Sequence, residues 1–333
     1  MAYITINKEN FFNNLGVIAK QAGSLEQIAL VLKDNAYGHG LTLMAKLAAE
    51  YGVSKAVVQN EHEAHEIAAY FSYILILSDK PKTPQKHFRY VVNTLENIES
   101  FSQEVPVELK VDTGMHRNGV DAAQLEKAVK TIQRKNLKLE AVFTHHRAAD
   151  ELSSEWYWQN QNFSRLKNVA KGMVDGLRFH SANSASLFRT PEFHEDMARV
   201  GIAAYGCMEL PFGDVASQLK PVLSLWGERI ATRTLQKGSR VGYSGVAVLK
   251  REEKVTTYDV GYGDGFMRSI DTGYKTPDGV ELLGRISMDS SSFVCSDETL
   301  LIFDDARVVA SKLKSISYEV LTALKPNLKR VVV

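Results

Sequence analysis

Between Gln27 and about Gly206 the chain alternates eight times between a short apolar run and a segment of helical spacing, and this limits the fold more than any other feature. The strand candidates are Ile28 to Leu32, Ala56 to Gln59, Tyr73 to Leu77, Tyr90 to Asn93, Val107 to Val111, Leu139 to Thr144, Leu177 to His180 and Met197 to Ala203. Between them, Leu41, Met44, Ala45, Leu47 and Ala48 share one helical face, and Leu125, Ala128, Val129 and Ile132 share another. Eight strand-then-helix units match a closed (β/α)8 TIM-type barrel of the α/β class. An open doubly wound sheet is the competing reading, since periodicity does not reveal whether two edges meet; it would ordinarily use fewer strands.

After Pro221 the texture changes to strand-length segments broken by glycines, among them Gly227, Gly238, Gly242, Gly261, Gly263, Gly265 and Gly284. Helical spacing returns only at Ser317 to Leu324, stopped by Pro326. The expected division is therefore a barrel over residues 7–220 and a smaller C-terminal β-rich domain over 221–333, together with the strand-like residues 1–6. The cleft between two such domains is the natural place for a site.

Composition narrows the function. The 40 Lys and Arg offset 39 Asp and Glu and are interspersed along the chain, so no basic block tracks a phosphate backbone and nucleic acid is not an expected partner. The longest apolar stretches, such as Val200 to Tyr205, fall far short of the ~20 residues that cross a bilayer, so no membrane association is expected. The N-terminus lacks the basic start, apolar run and small-residue site of an export signal, and only two cysteines occur, Cys207 and Cys295. A cytoplasmic protein with buried, inert thiols is the expectation. No metal-spaced His or Cys motif, dinucleotide glycine loop, Walker loop or serine elbow is present, so no metal is expected.

In a parallel barrel, reactive groups collect where strands end. Five of the eight strand ends here carry polar clusters: Lys33 with Asp34 to Gly40, Lys110 with Asp112 to Arg117, His145 and His146, His180 to Ser184, and Arg199 before Val200 and Gly201. Taken singly, each has a bland explanation: a lysine reaching solvent, a structural ion pair, a helix cap. Their convergence on one face carries the signal. A lysine, a deep arginine, tyrosines beside glycines and a Ser/Gly-rich set of amides suit a cofactor that joins an aldehyde to a phosphate.

At this point the sequence resembles the alanine racemase family. Val31 to Gly40, reading VLKDNAYGHG, resembles that family's pyridoxal phosphate lysine segment. Further matches follow in order along nearly the whole chain: LKVDTGM at Leu109 to Met115, FTH at Phe143 to His145, HSANS at His180 to Ser184, RVGI at Arg199 to Ile202, GYGDG at Gly261 to Gly265 and GRISMD at Gly284 to Asp289. The resemblance implies a pyridoxal 5'-phosphate enzyme that interconverts L-alanine and D-alanine, supplies D-alanine for peptidoglycan, and works as a homodimer with a shared active site.

The implied roles carry over residue by residue. Lys33 would hold the cofactor and exchange protons on one face of the substrate Cα, and Tyr262, from the partner's β domain, would do so on the other. A planar carbanion flanked by two groups can lose a proton on one side and gain one on the other. His145 would hydrogen-bond Tyr262. Arg199 would face the ring nitrogen as a donor that gives up no proton, and His180 would hold that arginine. Tyr37, Asn183, Ser184, Gly201, Ile202 and Tyr318 would bind the cofactor, chiefly as neutral donors around its phosphate. Arg117 would reach the substrate carboxylate, positioned by Lys110, which some members carry as a carbamate. Met288 and Tyr274 would line the pocket or its mouth, their bulk favouring alanine. Two other readings stand beside this one: a pyridoxal phosphate-binding protein without robust turnover, which would lack the β domain carrying Tyr262, and a racemase of broader specificity.

Overall fold

In the computed structural model, which describes residues 1–102, 104–270 and 273–333, all eight expected barrel strands form. After an N-terminal strand β1 (Tyr3–Ile6) come β2 (Ile28–Val31), β3 (Lys55–Val58), β4 (Tyr73–Ile76), β5 (Phe88–Val92), β6 (Pro106–Lys110), β7 (Lys138–Phe143), β8 (Arg178–His180) and β9 (Ala198–Val200). They pair in parallel from β8 through β2, and β2 pairs with β9, Leu30 opposite Val200. Between β8 and β9, two backbone hydrogen bonds, Asp196 N–H to the Phe179 carbonyl (3.1 Å) and Arg199 N–H to the Ala182 carbonyl (2.9 Å), bring the barrel close to closure.

Strands covered on both faces read as continuous apolar runs, and β2 (IALV) and β4 (YILI) are buried at every position. The exceptions are the charged residues Glu108, Lys110 and Arg199, each nearly or fully buried within a strand. Charge is almost never buried without a partner, so these positions locate the polar interior on which the site is built.

The second domain is built on a seven-stranded sheet, beside which Arg240–Val241 and Ala247–Val248 form a small separate hairpin. Its spine, β10 (Leu223–Leu235), pairs antiparallel with β1, with Glu253–Tyr258 and with Thr299–Phe303. The chain ends meet there, as β1 also pairs in parallel with Lys329–Val332. One hydrophobic cluster runs through both domains, from Ile4 and Leu225 to Leu30 and Val107.

Three details differ from the sequence reading. A helix at Ala306–Leu313 forms where none was expected, because only Ala306, Val309 and Ala310 are buried, too few to mark a helical stripe. Asp305 caps it by accepting from the Arg307 amide. The terminal helix spans Ser317–Ala323, with Leu324 as its cap. Both cysteines are free, and Cys207 is buried as expected, but Cys295 is only half-buried and exchanges hydrogen bonds with Asp297. Among the described residues, no helix is long and apolar enough to cross a membrane.

Candidate active site

Lys33 sits directly after β2, at the start of an unusual turn. Asp34, Asn35, Ala36 and Tyr37 all have φ between 52° and 56°, a left-handed run that costs L-residues roughly 1–2 kcal/mol each. Remote groups hold it. The Glu63 carboxylate accepts from the Asp34 amide (2.8 Å) and the Gln59 amide (2.7 Å), and the Asn35 side chain accepts from the Leu41 amide (2.9 Å). Gly38 closes the turn at φ 77°, where a Cβ would lie 2.0 Å from the Leu321 carbonyl oxygen. The turn leaves the Lys33 amine partly exposed, 3.1 Å from Asp34 Oδ2, and carries Tyr37 into the interior.

On the neighbouring strand β9, Arg199 enters the barrel, with its guanidinium over the Phe143 ring. Its Nη2 donates to the carbonyls of Thr144 (2.7 Å) and Ser181 (3.2 Å), and its Nη1 lies 2.5 Å from His180 Nδ1. Burial pushes its pKa down to about 10, which leaves it charged at neutral pH. On the far side of the imidazole, His180 Nε2 lies 2.8 Å from Glu108 Oε2, while Glu108 Oε1 accepts from Tyr73 Oη (2.5 Å) and Arg178 Nη2 (2.8 Å). Burial alone would raise the Glu108 carboxyl, but His180, Arg178 and Tyr73 together hold it down to about 2.

Strands β6, β7 and β8 set Lys110, Phe143 and His180 side by side. Lys110 is buried and donates to the Asn118 side chain; burial, then the positive charges of Arg117 and Arg199, push its amine down to about 8. Burial and the same cationic surroundings lower His145 well below its ordinary value, so the imidazole is neutral. Arg117 is exposed on the loop after β6.

The ends of β2 and β9 form a cradle. Gly201 approaches Tyr37 so closely that a Cβ there would lie 2.7 Å from the phenol oxygen. Ser184 Oγ accepts from the Gly201 amide (3.1 Å) and the Ala203 amide (3.4 Å). Asn183 accepts from the Ser186 amide (2.9 Å) and so caps the helix Ser184–Arg189. The Tyr318 ring, 40% exposed, stands 5.7 Å from that of Tyr37. Hydroxyls of Tyr37, Ser184 and Tyr318 thus gather with the Gly201–Ile202 backbone, one strand away from Lys33.

Tyr262, the second expected group, lies in the β domain. Tyr262 starts a short turn whose amides bond back to the segment before Asp289: Tyr262 N–H to the Ser287 carbonyl (3.1 Å) and Gly263 N–H to the Met288 carbonyl (2.7 Å). These bonds set Tyr262 beside Met288, which is 55% exposed. Tyr274 does not join them within the protomer: its ring packs on Phe266 and its hydroxyl donates to the Ile302 carbonyl (2.6 Å), leaving it 2% exposed. Among the described residues, the ring neighbour of Tyr262 is Arg268, and no hydrogen bond, ion pair or ring contact ties Tyr262 to Lys33, His145 or Arg199.

Glu63 and Glu108 were not singled out in the sequence. Glu63 shows no local signal beyond helical placement, whereas Glu108 is a charged residue inside an otherwise apolar strand run, and that is a readable sign. An aldehyde-bearing phosphate ester fits the whole arrangement. A partly exposed amine follows β2, and the neighbouring strand β9 carries a charged donor and runs into a cradle that a single Cβ would fill. Among the described residues, no cluster of metal-ligating side chains is present.

Comparison with known proteins adds identity to this geometry. Residues 6–209 match the family model described as alanine racemase, N-terminal domain, and residues 222–332 match alanine racemase, C-terminal domain. A protein named alanine racemase from Nitratiruptor sp. is 43% identical over 338 residues, covering 99% of each chain. One of the same name from Campylobacter jejuni is 41% identical over 100% of each. Solved structures described as alanine racemase are also similar. That from Clostridium difficile has a TM-score of 0.89 at 25% identity, covering 100% of this chain and 95% of that one, and that from E. faecalis has 0.86 at 27%, covering 100% and 98%.

Proposed function

We propose that this chain, which belongs to the alanine racemase family, interconverts L-alanine and D-alanine with pyridoxal 5'-phosphate as its cofactor. Bound there, the cofactor supplies an aldehyde that joins the substrate amine and a ring that draws electron density from Cα. Residues 7–220 serve as the cofactor-binding barrel, and residues 221–333, with strand 1–6, as the domain that carries the second base.

The chain's own residues divide the work. Lys33 Nζ would hold the aldehyde carbon and, once the substrate amine displaces it, the freed amine would exchange a proton on one face of Cα, with Tyr262 Oη doing so on the other. The neutral His145 imidazole has a bare nitrogen to accept from that phenol. Arg199 meets the ring nitrogen as a donor that keeps its protons, since even a guanidinium pushed down to about 10 stays charged; His180 holds it. Tyr37, Ser184, Tyr318 and the Gly201 and Ile202 amides surround the phosphate with neutral donors, and Asn183 fixes the helix start beside them. Arg117, with Lys110 behind it, takes the substrate carboxylate, while Met288 narrows the space beyond Cα. Among the described residues, no hydrogen bond, ion pair or ring contact joins Tyr262 to Lys33, His145 or Arg199 of its own protomer, and this supports a homodimer in which each Tyr262 completes the other subunit's site. D-alanine for peptidoglycan is the use that fits this activity.

The single observation that carries the reading is the convergence of Lys33, Arg199 and the Tyr37–Ser184–Gly201 cradle at the ends of neighbouring strands. The test is to incubate the cofactor-loaded protein with each L-amino acid in deuterated water and follow enantiomer ratio and Cα exchange. Alanine is expected to turn over fastest. Serine or lysine outpacing it would point to a broader racemase, and cofactor binding without turnover would leave a binding protein.

A further inference from the structure

The pair Arg199 and His180 ends on a carboxylate that the proposed chemistry does not use. Glu108 lies in the middle of β6, fully buried. Its two oxygens face different partners. Oε1 receives both Tyr73 Oη and Arg178 Nη2, and Oε2 receives only His180 Nε2.

These contacts allow one pattern of protons. A guanidinium only donates, so His180 Nδ1, 2.5 Å from Arg199 Nη1, must be the acceptor. The imidazole is fully buried, and that burial lowers its pKa, so it carries one proton, which then sits on Nε2 and points at Glu108. The carboxylate, an acceptor at both oxygens, is the group that favours this tautomer over the other. Arg178 also contacts Glu140, which Arg89 holds in turn (2.9 Å), so the carboxylate is anchored from the base of the barrel.

We propose that Glu108 is a positioning residue for Arg199: its carboxylate keeps His180 protonated on Nε2, leaving Nδ1 as the acceptor that fixes the guanidinium where the cofactor ring nitrogen would be met. The proposal rests on the racemase reading for its catalytic consequence, but the proton pattern stands apart from it. Glu108→Gln is the discriminating change. Tyr73 and Arg178 both donate to the Oε1 position, so the amide oxygen of glutamine stays there and its NH2 group faces His180 Nε2. Donor then meets donor, the imidazole proton moves to Nδ1, and His180 turns a donor toward Arg199. A buried acid that holds a catalytic imidazole in its productive tautomer has the same logic in the serine protease triad.

The experiment uses the full chain labelled with 15N-histidine, with the His180 tautomer read by NMR and kcat and KM measured on the cofactor-loaded protein. In the wild type, His180 is expected to be protonated on Nε2. In Glu108→Gln the proton is expected on Nδ1, with kcat reduced at least ~10-fold and KM for alanine within ~3-fold. Tyr73→Phe removes a partner of the other oxygen, and its tautomer and kcat are expected to stay close to wild type; Glu108→Asp, which keeps the charge, is expected to retain the Nε2 proton. A wild-type proton on Nδ1, an unchanged tautomer in Glu108→Gln, a switched tautomer with unchanged kcat, or an equal kcat loss in Tyr73→Phe would each overturn the proposal. Should Glu108→Gln not fold, the wild-type and Glu108→Asp tautomers decide it. If the wild type does not racemise alanine at all, the functional reading fails while the tautomer result still judges Glu108.

Discussion

Gly201→Ala isolates the phosphate cradle better than removal of any donor, because it adds one methyl group and subtracts nothing. Gly201 is not among the glycines with positive φ, so alanine meets no backbone strain there, and its effect is steric. The new Cβ would lie 2.7 Å from Tyr37 Oη and 3.0 Å from its Cζ, so the phenol has to retreat by roughly 0.7 Å to reach ordinary contact. It has little room. Tyr37 is 9% exposed and backs onto Tyr205, whose ring is 5.1 Å away and whose own hydroxyl is tied to the Val31 carbonyl. Overpacking of this kind costs about 1–3 kcal/mol, which is expected in the denaturation of the cofactor-free protein. Displacing one donor to a charged phosphate costs about 1.5–3 kcal/mol of binding, or about a 10- to 150-fold rise in the Kd for pyridoxal phosphate. Absorbance titration of the stripped protein measures that Kd. A variant destabilised as expected but binding the cofactor within about threefold of wild type would refute the cradle as the phosphate site.

Three further outcomes are expected. Borohydride reduction of the cofactor-loaded protein, followed by peptide mapping, should fix the adduct on Lys33; an adduct on Lys110 would overturn the assignment. Lys33→Ala and Tyr262→Phe should each be nearly inactive alone, yet regain activity on co-refolding, because one site of the mixed dimer is then intact; no recovery in a verified heterodimer would place both groups in one chain. His39 and His146 are held neutral by burial with pKa values of about 4. The unfolded chain therefore takes up protons first as pH falls below ~6.5, and stability should drop between there and about 4, by about 2 kcal/mol per histidine at pH 5. Equal denaturation midpoints at pH 7 and pH 5 would contradict that burial.

The barrel was legible because each strand is an unbroken apolar run between turns, as in YILI at Tyr73–Ile76, and such runs require burial on both faces. Closure was not, since the hydrogen bonds from Asp196 and Arg199 that join the two edges depend on geometry that periodicity does not encode. The lysine segment was recognisable as a motif, but not its left-handed path. Nothing local in Asp34 to Tyr37 requires positive φ, and beyond the local contacts of Asn35 with Leu41 and of His39 with the Ala36 carbonyl, the groups that brace the turn, Glu63, Leu321 and Arg330, lie 29 or more positions from Asp34 along the chain. Tyr274 shows the reverse case: its place in the order of motifs suggested a pocket, while the ring finds Phe266 and the Ile302 carbonyl within its own domain. Residue order is readable from sequence, but the commitment of a side chain depends on neighbours that only the fold supplies.

The last strand of the chain explains why the lysine turn and the second domain belong together. Arg330 lies in Lys329–Val332, beside β1, and its guanidinium donates twice to the Gly38 carbonyl, from Nε (3.0 Å) and Nη2 (2.7 Å). Its remaining donors go to the carbonyls of Lys325, Pro326 and Leu328. Leu321, in the preceding helix, presents its carbonyl to Gly38 from the other side. A left-handed run of four non-glycine residues is costly by itself, so it persists only where the surroundings over-determine it. Two of those surroundings, Leu321 and Arg330, come from the final seventeen residues, Ser317 to Val333. The barrel positions β2 and holds the start of the turn through Glu63, while the β domain braces its end at Gly38, so a barrel without that domain would lose part of the support for its lysine turn as well as Tyr262.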